Sequence, residues 1–528
     1  MFATPVTQAD NKITTVPAPI GGLNARDSLA AMPETDAVVM VNYWPQPYGV
    51  SVRKGYQYWA TGLGGEVSTL AQWAGVSGEL KLFAWAVHEV YDVSSRGPVG
   101  APAITGLTNA FWQTTTVVNA AGSHLLAVNG ADDGIAYDST GVNRIIAGDG
   151  VVAWTWSGLD PKTAIQLTDH QHRLWVVKKD SAIGYYLPPD AVYGVFESFD
   201  FGPLFSRGGY ISFMTTWTID DGNGAEDHLV VASSRGEVAV YAGTDPSNAT
   251  TWALVGVYYV GAPVKGRRSY SKVGGDLYLL TQQGIASMAE LLTSTKVNEA
   301  TSAFKSNKIQ FLMSELIGTY GDLANWQLSY VPKINMLICN VPSVVLGGNT
   351  QIVANQIIGA WAQFSGMDAA CWTTYDAQPF FGDYEGRVHV AWYGGLDRVD
   401  LAGLGGTAVL AEVQQAYSYL NSLGTQKQVG MYRPNFIVAT PVAYKSGIEY
   451  DFQGSSVPAP DSVAPSLGSL WDDSKWGTAQ WYGGTSNQRI WSQASGMGVA
   501  ASVHLKTVST NDVLWISTDY SYKVGTLL

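Results

Sequence analysis

The chain has 528 residues, and 30 Lys and Arg against 43 Asp and Glu give it a formal charge of −13. Charged residues make up 14% of it and apolar residues 46%, where ordinary globular domains carry about 25% charged. Such a chain buries enough apolar surface to offset its ordering entropy, which excludes a disordered protein. With no Lys/Arg block, the acidic balance also argues against broad adhesion to nucleic-acid phosphates.

No run reaches the roughly 20 apolar residues of a membrane span, so no membrane anchor is expected. Met1–Pro19 has a single Lys and no continuous apolar core, and it does not read as a secretory signal. Assembly in a reducing cytoplasm is expected. Cys339 and Cys371 supply no disulfide framework and are expected reduced and buried. Length predicts two to four domains, and 58 Gly with 22 Pro predict many turns and few long helices.

In chain order, residues 1–60 read as an N-terminal arm with a Gly-flanked loop at Asn24, Arg26 and Asp27 and a basic pair at Arg53 and Lys54. Seven segments then share one pattern, an apolar strand, a tight polar turn and a second apolar strand. They are Leu80–Val93, His124–Asp138, His172–Leu187, His228–Ala242, Asp276–Met288, the weaker Ile334–Val344, and Pro379–Trp392. Their anchors Leu82, Leu125, Leu174, Leu229, Leu277, Met336 and Phe380 lie 43 to 59 residues apart. A sustained period of about 40–50 residues, rich in β-branched and aromatic residues, predicts an all-β fold with a β-propeller of six or seven blades over 61–400. A β-sandwich or several small β domains are the competing reading.

Between the fifth and sixth segments, Asn298–Tyr320 has helical spacing, with Thr301 or Ser302 as its cap, and predicts one helical insertion. Leu401–Thr407 reads as a flexible hinge, after which the repeat stops. Residues 401–528 predict a separate C-terminal β domain, with strands over Phe436–Tyr444 and Gly447–Phe452. Trp471, Trp476, Trp481 and Trp491 are read as core or interface anchors.

Chemistry is not announced. His170 and His172, beside Asp169, are expected to face one side of a strand but lack further ligands at metal-site spacing. Asp220–Asp227 lacks the alternating ligands and closing Glu of a calcium loop and reads as a solvated turn. Asp132–Asp133 before Gly134 reads as a hairpin tip. Ser302 and Lys305 form an S-x-x-K without the partner motifs of acyl-transfer enzymes. The expectation is no enzyme, with no catalytic residue, cofactor or metal.

Three stretches are more distinctive. The first holds PIGGLNARDSL (19–29), MPETDAV (32–38), NYWP (42–45) and GVSVRKGY (49–56). The second, 359–392, contains GAWAQFSGM and FFGDYEGRVHVAW, and the third is AEVQQAYSYLNSLGTQKQVGMYRP over 411–434. Together they resemble the tail nozzle, or tail tubular protein B-like, proteins of short-tailed phages (podoviruses), a group related to packaged-DNA stabilisation proteins. The resemblance implies a structural virion protein in a short tail: a β-propeller subunit joined as a homo-hexamer around a channel for genome retention and ejection. It implies a tail adaptor/portal complex and tail fibres or spikes as partners, and double-stranded DNA passing without sequence-specific binding. Asn24, Arg26, Asp27, Arg53 and Lys54 are then a docking loop, or else an internal salt bridge and turn. A plug hub below portal and adaptor is the allied alternative, and a glycan-binding propeller, with Tyr185 and Tyr186 stacking on sugars, is the alternative of another class.

Overall fold

The computed structural model describes residues 11–220, 225–293, 304–343, 348–454, 456–461 and 486–525. The chain divides into two compact units, one of residues 58–350 and 368–390 and one of 1–57, 351–367 and 391–528. The C-terminal β region therefore does not stand alone as 401–528. It is built with the N-terminal arm and a short middle segment.

The larger unit is a β-propeller. Five sheets come first, antiparallel throughout except at the outer edge of the second, where short strands add in parallel. Their innermost strands are Val67–Ala74, Gln113–Asn119, Ala164–His170, Ile211–Asp220 and Tyr270–Val273. A sixth sheet pairs Gln327–Val331 with Met336–Val341, and a seventh runs from Ala369–Tyr375 through Gln378–Asp383 to Arg387–Ala391. The ring closes where the early strand Tyr56–Thr61 joins the outer side of that seventh sheet and the innermost strand Ala369–Tyr375 packs beside Val67–Ala74. Among the described residues the ring thus has seven sheets, and each of the seven sequence repeats supplies the second strand of one.

Side-chain period explains why those second strands read as continuous apolar runs. Leu174 and Val176 enter the core shared with Leu126 and Val128 of the sheet before. Trp175 and Val177, one residue out of phase, enter the core shared with Leu229 and Val231 of the sheet after. A blade strand is buried on both faces, so alternation of apolar with polar residues disappears. The first and seventh sheets meet in the same way through Leu70, Leu82, Cys371 and Phe380. Both cysteines are free and buried, and burial pushes both thiols up to about 12.

The helical insertion falls between the fifth and sixth sheets but starts later than its spacing predicts. A 3-10 turn at Asn307–Ile309 leads into an α-helix at Gln310–Tyr320, and a short helix, Met288–Thr293, precedes it. Thr301 and Ser302 lie outside the described residues, as do Trp471, Trp476 and Trp481.

The smaller unit has two sheets. One orders Ser486–Arg489, Lys427–Val438, Val513–Val524, Gly49–Val52 and Tyr43–Gln46, with Lys12–Pro17 also on Val513–Val524. The other runs through Ala360–Phe364, Gly22–Leu23, Asp36–Val41, Thr407–Gln415, Ala501–Ser509 and Ala443–Tyr450. Tyr43 and Thr507 share a buried hydroxyl–hydroxyl bond of 2.5 Å between them. Two expectations are corrected here. Leu401–Thr407 is the loop of a hairpin that pairs Leu396 with Ala408, not a hinge between domains. Phe436–Tyr444 is the end of one strand, a turn and the start of the next.

Gly22 shows what the Gly-Gly of the N-terminal motif is for. Its φ is +77°, and a Cβ there would lie 2.5 Å from the Trp361 carbonyl oxygen and 2.7 Å from its amide nitrogen. Gly22→Ala is expected to destabilise the chain by at least about 1–3 kcal/mol, whereas Gly318→Ala, in the open interior of Gln310–Tyr320, is expected to stabilise by up to about 1 kcal/mol. Thermal unfolding of the two variants beside the parent checks the opposite signs.

Candidate functional site

The five residues of the proposed docking loop separate into two kinds. Asn24 is 2% exposed. Its Nδ2 donates to Asp36 Oδ2 at 2.8 Å and to Asp27 Oδ2 at 2.9 Å, while its Oδ1 accepts the amides of Arg26 and Asp27. Arg53 is also interior, with its side chain 1% exposed. Its two terminal nitrogens each donate to one oxygen of Asp397 at 2.7 Å, and its Nε donates to Asn42 Oδ1 at 2.9 Å. The carbonyls of Lys54 and Ser365 take two further bonds. Asn24 and Arg53 are thus spent inside their own unit and offer a partner nothing.

Arg26, Asp27 and Lys54 remain at the surface. Arg26 makes a forked pair with Asp27, 2.7 and 3.1 Å, which raises the guanidinium pKa further above its ordinary value. Lys54 pairs with Asp512, whose side chain is 72% exposed.

A second site, which the sequence reading did not single out, lies on the axis of the propeller. At three seams a polar side chain of one inner strand imitates a strand partner for the next. Thr69 Oγ1 donates to the Ala110 carbonyl (2.7 Å) and accepts the Trp112 amide (3.0 Å). Gln166 brackets Met214, donating to its carbonyl (2.7 Å) and accepting its amide (3.1 Å). Gln327 brackets Trp372 likewise, at 2.7 and 2.9 Å. Each bracket satisfies one amide and one carbonyl in or beside the next inner strand, groups that burial would otherwise leave unpaired.

Arg267 and Arg268 fill the middle. The Arg268 carbonyl accepts the Leu328 amide of the sixth sheet (2.8 Å). Its side chain crosses to the first and second sheets, donating to the Ser68 carbonyl (2.9 Å), Thr69 Oγ1 (2.6 Å) and the Trp112 carbonyl (2.8 Å). It also lies 4.5 Å over the Phe111 ring. Arg267 donates to the carbonyls of Asn129 and Ile165, both at 3.2 Å. The one Arg-Arg dipeptide in the sequence was the available signal.

The remaining candidates are structural. His170 ends a strand and is 2% exposed, but Gln171 and His172 take positive φ in the turn, so the two histidines do not share a face. Among the described residues no group of three or more His, Cys, Asp or Glu is placed to hold a metal ion. Asp227 accepts a 2.6 Å bond from Thr218 Oγ1, and residues 221–224 of the acidic run lie outside the described ones. Asp132 binds the Thr108 amide and hydroxyl and Asn129. Tyr186 is 3% exposed and packs on Trp175, ring centroids 4.8 Å apart, so it has no face to offer a sugar. Among the described residues no helix is long and apolar enough to cross a membrane.

No family model matches the chain, and no curated protein matches it. Among solved structures it is similar to YCF48 bound to D1 peptide, at 10% identity over 68% of this chain and 99% of that one, TM-score 0.37. It is similar to the Dos1 propeller at 9% identity over 63% and 94%, TM-score 0.35. The likeness to BBS1N in complex with ARL6DN, 14% identical with a TM-score of 0.27, spans 42% of this chain and 64% of that one, less than two thirds of its length. These likenesses concern the propeller fold and carry nothing about function.

Two outcomes follow from the site geometry. Asp397→Ala leaves the Arg53 guanidinium buried without its carboxylate and is expected to cost about 3–5 kcal/mol. Arg26→Ala breaks only an exposed pair and is expected to cost less than about 1 kcal/mol; urea unfolding of both separates them. Burial depresses the His170 pKa from 6.5 to about 4, with Asp227 opposing weakly. The unfolded chain therefore binds the extra proton first, and the contribution of His170 is lost as pH falls from about 6.5 towards 4. Between those limits the parent is expected to lose up to about 3 kcal/mol relative to His170→Gln, read as a difference in unfolding midpoint against pH.

Proposed function

We propose that the chain is a structural virion protein, a nozzle subunit in the tail of a short-tailed phage, acting as a homo-hexamer through which the genome is retained and then released. One observation carries this reading. Residues from all three stretches that resemble nozzle proteins, separated by hundreds of positions, are neighbours in one sheet. Gly22 pairs with Asp36 and Trp361, Val41 with Gln363, and Met40 and Val41 with Val413 and Glu412. The shared pattern is a folding unit, which is what a resemblance without catalytic residues should be.

The propeller axis suits a scaffold and not a conduit. Arg267 and Arg268 bridge it beside a cavity of about 260 Å³, far too small for a duplex whose major groove alone is about 12 Å wide. The DNA channel of this reading therefore lies between protomers. Six copies carry six times −13, a formal charge of −78, which repels the phosphate backbone and favours passage without adhesion. Exposed apolar side chains on outer strands, Val142 and Ile146 on the second sheet and Leu254, Val255 and Val257 on the fourth, supply faces that neighbouring copies would cover.

Arg26, Asp27 and Lys54 are the surface the adaptor/portal complex would meet, with fibres or spikes docking elsewhere on the ring. The paired variant Arg26→Glu, Lys54→Glu is expected to weaken docking to a purified portal–adaptor complex at least tenfold with an unchanged unfolding midpoint. Equal docking by variant and parent would remove this loop from the interface, and no docking by the parent would count against the nozzle reading itself.

A further inference from the structure

The axial cavity of the propeller has a chemistry that bracing does not use. Two arginines line it in a chain that is acidic overall. Among the described residues every hydrogen-bond or ring partner of Arg267 and Arg268 is a neutral carbonyl, hydroxyl or ring. Among the described residues no carboxylate lies within ion-pair distance of either. Asp180 favours the charge of Arg267 only from farther away, and each of the two arginines lacks a compensating anion in contact. Burial and mutual repulsion both work against these charges, yet arginine stays protonated under such conditions. The result is a standing positive potential inside a low-dielectric ring.

The wall completes the picture. Besides the two arginines the lining includes Thr114, Ser329, Thr373 and Thr374 and, among the described residues, no Asp or Glu. Hydroxyls donate to an anion from several sides, and the guanidinium fork matches the oxygens of a tetrahedral oxyanion. At about 260 Å³, against a water's share of about 30 Å³, the space holds such an ion with several waters. We propose that the axial cavity binds a small tetrahedral oxyanion, inorganic phosphate or sulfate, between Arg267, Arg268 and these hydroxyls. The bound ion offsets the unpaired charge at the hub and ties the inner strands together, so it stabilises the ring without taking part in a reaction. This assignment does not depend on the nozzle reading.

The test uses the full chain at fixed ionic strength, with sodium phosphate or sulfate exchanged for chloride. Both oxyanions are expected to raise the unfolding midpoint saturably and to compete with each other, and phosphate is expected to broaden in its phosphorus resonance on adding protein. Arg267→Gln keeps hydrogen-bond donors but removes a charge, and it is expected to weaken binding at least tenfold. Should that variant fold poorly, Ser329→Ala with Thr374→Val leaves both arginines in place and is expected to weaken binding about threefold or more. No oxyanion effect beyond that of chloride overturns the proposal, and so does equal binding by the parent and both variants.

Discussion

Everything in the larger unit depends on ring closure. A propeller sheet is apolar on both faces and is stable only while a neighbour covers each of them. Five sheets built from consecutive strands leave two faces open, and the last sheets must bring the chain back to the first. Here the return is made twice over. Tyr56–Thr61 joins the outer side of the seventh sheet, so that sheet holds residues from both ends of the unit. Its inner face shares a core with the first sheet, where Cys371 and Phe380 pack with Leu70 and Leu82. The Cys371 thiol is also 3.1 Å from the Val67 carbonyl.

Closure creates a second demand at the axis. Inner strands converge there, and burial would leave backbone groups in or beside them unpaired. Threonine and glutamine side chains take the place of strand partners, each bonding an amide and a carbonyl across a seam, and Arg268 reaches the seam that joins the first and second sheets. A leucine at any of these positions would leave buried amides unpaired, at roughly 1–3 kcal/mol each. The polar hub is thus a structural requirement, and its surplus of positive charge is what that requirement leaves over.

Much of the propeller was legible because its second strands are buried on both faces. LWVV, LVVA and LYLL announce themselves as strands, and the turns after them set the period. The sixth repeat was faint because its apolar run, Met336–Val341, is fully buried but includes Cys339 and Asn340, whose amide donates to the Ala369 carbonyl. What the sequence hid were pairings with no local signature. Gly22–Leu23 is a two-residue strand whose partners begin 14 and 339 positions away. Arg53 reads equally as a docking residue or as half of an internal salt bridge, because its carboxylate partner arrives only 344 residues later. For the same reason Leu401–Thr407 reads as a hinge: its glycines are visible locally, while the pairing of the strands it joins is not.

The nozzle reading rests on a resemblance whose scattered motifs converge in one sheet, and its central claim is a place in a particle. Antibody-labelled negative-stain microscopy of purified short-tailed particles carrying this chain tests that claim most directly. The account predicts label at the distal part of the tail. Particles that carry no label anywhere would contradict it and leave a propeller with an oxyanion at its hub but no place in a virion.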